Sequence, residues 1–212
     1  IMVMALKPIY DLAKIKRVIV STYQAVSGAG KEGIDELDAQ VRDHSEGREM
    51  TANILPSASA EKHYPIAFNL IPQIDVFCDN LYTKEEMKMV NETKKIMEDY
   101  EMRITATTIR VPVYRSHSES VNIELEKEVD LGAMREALAK FPGVTVQDDP
   151  SKQEYPMPLY TSEKDDVYVG RLRRDESCEK SYNMWVVGDQ IRKGAALNTL
   201  QIAETMIKNG WI

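Results

Sequence analysis

Cysteine is scarce in this chain of 212 residues, which holds only Cys78 and Cys178. Two cysteines cannot build a disulfide scaffold, so a fold held by its core in a reducing cytoplasm is expected. Long apolar runs are also missing. None approaches the roughly 20 residues that a membrane span needs, so no membrane association is expected. The apolar opening has neither a basic flank nor a small-residue cleavage site, so it does not read as a signal peptide. Positive charge is in deficit: 27 Lys and Arg stand against 34 Asp and Glu, for a net charge of −7. That balance argues against a nucleic-acid partner. No internal repeat, low-complexity segment or metal site is read.

What is present is ordinary globular material, 43% hydrophobic and 29% charged, and long enough to bury a substantial core. Residues 1–14 read as a mostly apolar helix with a kink at Pro8. Lys16 to Tyr23 is a strand by β-branched content. A helix from Ile34 to about His44 presents Leu37 and Val41 on one face. Ser45 to Tyr64 reads as a long loop with one short element near Met50–Leu55. Thr83 opens a helix through a capping box with Glu86, and Met87, Val90, Ile96 and Met97 mark its apolar side. Val121 to Glu128 alternates as a half-buried strand. Asp130 caps a helix from Leu131 to Lys140. Gly143–Gln147, Asp166–Arg173 and Lys180–Val187 are further strands, the last central. Asp189 to Lys208 is a long helix whose small residues predict close packing. Strands interrupted by helices argue an α+β domain with a mixed, largely antiparallel sheet and flanking helices.

Three stretches bear on chemistry. Arg110 lies in a strand, and His117 is placed just past its end. The pair could be a carboxylate fork beside a group that titrates near neutrality. On spacing alone, a surface arginine and an exposed loop histidine is the favoured reading, because isolated residues of both types are common. Seven residues apart, they fall on opposite faces of a regular strand unless a bulge, favoured by Pro112, intervenes. Gly28, Gly30 and Gly33 spell G-x-G-x-x-G, but the glycines do not follow the strand directly, and no acid-ended strand follows about 20 residues on. Lys31 lacks the following Ser or Thr of a phosphate loop. A loop of unusual backbone shape and a loop presenting N–H groups to a ligand both remain open. Cys78 reads as a small buried hydrophobe rather than a nucleophile.

Four segments carry a resemblance. They are Ser21-Thr-Tyr-Gln-Ala-Val-Ser-Gly-Ala-Gly30, Phe68-Asn-Leu-Ile-Pro-Gln-Ile-Asp75, Ile109-Arg-Val-Pro-Val113 with His117-Ser-Glu-Ser120, and Gly188-Asp-Gln-Ile-Arg-Lys-Gly-Ala-Ala-Leu-Asn198. In this order they resemble aspartate-β-semialdehyde dehydrogenase of the Gram-positive type, over essentially the whole chain. The resemblance implies a cytoplasmic, NADP-dependent enzyme of lysine, threonine and methionine biosynthesis. Such an enzyme interconverts aspartyl-β-phosphate and aspartate semialdehyde plus phosphate through a cysteine thioester. It further implies that Gln24 orients the reacting group, Arg110 grips the α-carboxylate and His117 is the general acid/base. Glu85 would meet the substrate amino group and Lys88 the phosphate. Ser27 and Gly28 would lie near NADP, and Gln190 near its nicotinamide.

The family's nucleophile sits in an Asn-Cys-Ser/Thr motif that would fall upstream of Ile1, and neither Cys78 nor Cys178 has that context. The chain is therefore expected to be the C-terminal part of a two-domain dehydrogenase, without its N-terminal Rossmann domain. Residues 1–188 would be the catalytic and homodimerisation domain, and 189–212 a helix that packs on the nucleotide-binding domain. It is expected to be inactive alone. A non-catalytic dimerisation or regulatory module derived from that enzyme is the alternative.

Overall fold

The computed structural model describes residues 1–212. Its centre is a six-stranded sheet of order β2-β1-β3-β6-β5-β4. The strands are β1 (Ile15–Gln24), β2 (Arg103–Arg110), β3 (His117–Leu125), β4 (Val144–Val146), β5 (Val167–Arg174) and β6 (Ser181–Gly188). β1 runs parallel to β2, and β4 parallel to β5, while the β1–β3, β3–β6 and β6–β5 pairs are antiparallel. The mixed, largely antiparallel sheet expected from the sequence is thus present, with β6 central.

One face of the sheet is apolar and packs against α1 (Met2–Leu12), α3 (Lys84–Met97) and α4 (Leu131–Lys140). Val18 and Val20 of β1, Val121 and Ile123 of β3, and Met184 and Val186 of β6 supply it, at the alternate positions that a pleat sends to one side. The opposite face, with Ile19, Tyr23, Ile109, Asn122 and Trp185, is only half-buried. Pro8 does not end α1. The helix tolerates the missing N–H because Leu6 and Ile9 on either side are fully buried in the core.

Several expectations need correction. β3 starts at His117, not Val121, because residues 118–120 pair with both β1 and β6 and His117 pairs with β6. The helix over 34–44 is longer, α2 spanning Gly30–Ser45. Its buried side is not Leu37 with Val41: Val41 is 39% exposed, while the polar Gln40 is fully buried. The reason is the loop beneath it, residues 46–82, which has no helix or strand near 50–55 and whose backbone needs partners. Gln40 Oε1 accepts from the N–H groups of Ile66 and Ala67, and its Nε2 donates to the Thr51 carbonyl. Glu36 Oε2 accepts from the N–H groups of Asn53 and Ile54.

On α3 the capping box forms as expected, yet Ile96 is exposed and Glu86, Thr93 and Met97 are buried. Glu86 is drawn in because its second oxygen accepts from the N–H of Thr108 on β2. Cys78 is half-buried rather than part of the core. After the short helix α5 (Pro158–Thr161), the long C-terminal helix is broken into a π-type turn at Arg192–Ala196 followed by α6 (Leu197–Lys208), and no residue of α6 is buried. Its expected close packing is not made within these residues.

Candidate functional site

β1 and β2 end, β3 begins and β6 ends at the same edge of the sheet. Gln24 is the register partner of Arg110, and His117 that of Gly188. Three adjacent strands therefore bring Gln24, Arg110 and His117 together, although Gln24 is far from the other two in sequence. The bulge invoked for Arg110 and His117 is not needed. They stand on two different strands flanking β1, and residues 111–116 form the connection between them. Nor are they surface residues: Arg110 is 4% exposed and His117 9%.

Arg110 is fixed at both its backbone and its side chain. Its N–H and carbonyl pair with Ile71 of the long loop, and Nη1 donates to the carbonyl of Ala25 at 2.7 Å. Its Nε is buried without a partner. Burial pushes the guanidinium down to about 10, against the pull of Glu85, so it keeps its charge at neutral pH.

His117 accepts at Nδ1 from the N–H of Ala25, at 3.0 Å. The neutral ring therefore carries its proton on Nε2. Burial first, then the Arg110 charge, push its pKa down to about 3.

Gly28 roofs both side chains. A Cβ there would lie 2.6 Å from Arg110 Nη1 and 3.4 Å from His117 Nε2. The three glycines of the G-x-G-x-x-G spacing have separate local causes: close approach at Gly28, a positive φ of 80° at Gly30, and contact of Gly33 with the Val26 carbonyl. Together they turn the chain from the 3₁₀ turn Val26–Ala29 into α2.

An open cavity of ≈ 280 Å³ adjoins this cluster, and its wall includes Thr22, Gln24, Glu85, Lys88, His117 and Glu119. Thr22 Oγ1 donates to Gln24 Oε1, and Gln24 Nε2 donates to Glu85 Oε1 at 3.2 Å. Lys88 Nζ donates to Glu85 Oε2 at 3.0 Å, and that bond raises the lysine's pKa. Glu85 and Lys88 of α3 thus face a cavity beside the sheet end. Neither cysteine lines it.

Gln190, just past β6, reaches the same rim. Its Nε2 donates to Ser27 Oγ at 2.6 Å and its Oε1 accepts from the N–H of Ser116. Sequence reasoning missed the residue that sets this turn. Asp189 is fully buried; it accepts from the N–H groups of Ile191, Arg192 and Glu163 and pairs with Arg115 Nε at 2.7 Å. It also missed Glu119, which is 6% exposed with Oε2 buried and unpartnered. The signal was a carboxylate two residues after His117, which starting the strand at Val121 hid.

A family model described as semialdehyde dehydrogenase, dimerisation domain, matches residues 6–193. Aspartate-semialdehyde dehydrogenase of Aquifex aeolicus is 53% identical over 211 residues, covering 100% of this chain and 60% of the relative. The Bacillus subtilis protein of the same name is 50% identical over 208 residues, covering 98% and 60%. A crystal structure of aspartate semialdehyde dehydrogenase II complexed with ASA from Vibrio cholerae superimposes with a TM-score of 0.91 at 44% identity, covering 98% of this chain and 59% of that one. The chain thus spans about 60% of the length of the curated relatives it matches. Sheet order, site geometry and a family match over residues 6–193 agree: the chain belongs to the semialdehyde dehydrogenase family, as its dimerisation domain.

Proposed function

We propose that these residues form the substrate-binding and dimerisation part of an NADP-dependent aspartate-semialdehyde dehydrogenase, in cytoplasmic biosynthesis of lysine, threonine and methionine. The observation that carries this reading is the convergence of Gln24, Arg110 and His117 at one sheet end, with Glu85 and Lys88 alongside.

Arg110 binds the substrate α-carboxylate. Its guanidinium is charged, desolvated and held by one bond to Ala25, with Nε still free. Glu85, already bonded to Gln24 and Lys88, receives the α-ammonium group. Lys88, kept cationic by Glu85, meets the phosphate. Gln24, whose amide is fixed from both ends, orients the reacting carbonyl. His117 supplies the acid half of its acid–base role: a neutral imidazole with its proton on Nε2 can polarise a carbonyl oxygen.

The thiol that forms the thioester comes from sequence outside these 212 residues, in keeping with a cavity that neither Cys78 nor Cys178 lines. NADP, when bound, takes up or gives the hydride. Ser27 and Gln190, which already bond to each other, offer the hydroxyl and amide that suit the carboxamide at its nicotinamide end. Gly28 lies beside them and keeps the loop close to Arg110.

Residues 1–188 constitute the domain and 189–212 dock on the nucleotide-binding part. The docking is supported by the exposed Leu200, Ile202, Ile207 and Trp211. A homodimer forms through the half-buried sheet face around Tyr23 and Trp185.

Arg110→Lys tests the reading, in these residues joined to the nucleotide-binding part of a relative. Lysine keeps the charge and loses the fork. The expected loss in kcat/KM is about 30- to 1000-fold, or roughly 2–4 kcal/mol, with an unchanged thermal melt. A variant within about threefold of the parent would remove Arg110 from the carboxylate site.

A further inference from the structure

Gln190 can present its side-chain amide only one way round. Its Oε1 accepts from the N–H of Ser116 at 3.1 Å, so Nε2 turns to Ser27 Oγ, to which it donates at 2.6 Å. A reversed amide would set two N–H groups against each other at Ser116. One Nε2 hydrogen is left over, on a residue that lines the cavity, and the Ser27 hydroxyl keeps its own proton to give. This rim therefore offers hydrogen-bond donors, which an acceptor such as a carbonyl oxygen suits.

Neither partner in that contact lies in a strand or helix that would fix it. Gln190 follows β6, and Ser116 ends the connection between β2 and β3. Ser116 has a positive φ of 75°, a conformation that a residue other than glycine rarely holds unaided. Asp189 is the group that reaches both. It is fully buried. Its Oδ1 accepts from the N–H groups of Ile191 and Arg192, at 2.9 and 3.2 Å, which sets the backbone just after Gln190. Its Oδ2 pairs with Arg115 Nε at 2.7 Å, one residue before the N–H that Gln190 uses. Oδ2 also accepts from the N–H of Glu163 at 2.7 Å. The turn fastened in this way returns two bonds to the connection. Thr161 Oγ1 bonds Ser116 Oγ at 2.7 Å, and Ser162 Oγ donates to the Arg115 carbonyl at 3.2 Å. Burying a carboxylate this deeply is costly unless it is paired and hydrogen-bonded. Here both oxygens are engaged, and they tie the segment that carries Gln190 to the segment that receives its side chain.

We propose that Asp189, acting through Arg115, is the positioning residue of this rim. It holds the Gln190 amide so that Nε2, with the Ser27 hydroxyl, meets the carboxamide of the nicotinamide. This rests on the reading above, in which NADP binds here, and names what sets the contact.

Two measurements test it, the first without cofactor. In the 212-residue chain, the ¹⁵N side-chain amide signal that disappears in Gln190→Ala should stand apart from those of exposed glutamines and exchange slowly with solvent. In Asp189→Asn, and in Arg115→Gln, it should move to the position of the exposed ones. The Arg115 side chain is 28% exposed, so Arg115→Gln serves should Asp189→Asn fail to fold. A Gln190 amide unchanged in a folded variant would overturn the proposal.

The second measurement uses the enzyme completed with its nucleotide-binding part. Gln190→Ala and Arg115→Gln should each raise KM for NADP about 10-fold and leave KM for aspartate semialdehyde within about twofold. Both act on one contact, so the double variant should also stay near about 10-fold. Independent effects would multiply to about 100-fold, which a merely structural Arg115 would give, and that result would overturn the proposal. A parent enzyme without NADP-dependent turnover would refute the functional reading instead, and the amide signal of the 212-residue chain would still decide the positioning.

Discussion

Gly28 shows how one atom can govern the site. It sits where a methyl group would collide with Arg110 Nη1 at 2.6 Å. Gly28→Ala must therefore displace the guanidinium or the 3₁₀ turn. Overpacking of this kind costs roughly 1–3 kcal/mol. The expected outcome is a modest drop in melting temperature with a disproportionate loss of turnover; equal turnover would mean that Arg110 moves freely. The buried titratable pair makes a second claim at this scale. His117 falls from 6.5 to about 3 in the folded chain, so the unfolded state takes up a proton first and stability is lost as pH falls from about 6.5 towards 3. Glu119 rises from 4.5 to about 7, so the folded state keeps a proton that the unfolded state releases, and stability is lost as pH rises from about 4.5 through 7. These two groups together favour the range between. Glu119→Gln removes the alkaline cost. Relative to the parent it should be more stable at pH 8 than at pH 5 by up to about 3 kcal/mol, read from urea unfolding at both pH values. An equal difference at the two pH values would show that Glu119 is ordinarily ionised.

At the scale of elements, the site depends on how α3 and the 46–82 loop are tied to the sheet. Glu86 completes the Thr83 capping box with Oε2 and accepts from the Thr108 N–H with Oε1. It thereby aims Glu85 and Lys88 at the cavity. Glu86→Ala leaves two buried N–H groups unpaired and should cost about 2–4 kcal/mol in urea unfolding, with loss of turnover. A cost below about 1 kcal/mol would place α3's anchoring elsewhere. The elements themselves were mostly legible in the sequence, because β-branched runs, the capping box and Asp130 act locally. The start of β3 was not, since residues 117–120 are polar and become a strand only through neighbours, 118–120 pairing on both sides and His117 with β6. Nor was the buried face of α2, where Glu36 and Gln40 go inward to serve a loop whose path no local pattern reveals. The pairing of Arg110 and His117 across β1 was likewise hidden, because strand order is a property of the sheet and not of either segment.

For the whole molecule, the reading is of a sheet whose apolar face carries helices, whose end carries the site and whose other face is left half-buried. Family membership came from the wording of four segments. The roles of Gln24, Arg110 and His117 followed from the resemblance, and their assembly at one sheet end supports it. The burial of Glu119 and the Ala25 contact of His117 are visible only in the fold, since they depend on packing and hydrogen-bond direction. The unburied α6 and the cavity without a cysteine both point to a partner segment. The 212 residues alone should give no NADP-dependent oxidation of aspartate semialdehyde. The decisive measurement replaces the matched segment of the Bacillus subtilis relative, 50% identical over 208 residues, with this chain. The chimera is then assayed for phosphate-dependent reduction of NADP with aspartate semialdehyde. The account predicts turnover that requires phosphate and falls at least about 30-fold with Arg110→Lys. A folded chimera that binds NADP yet gives no turnover, or one indifferent to Arg110, would contradict it.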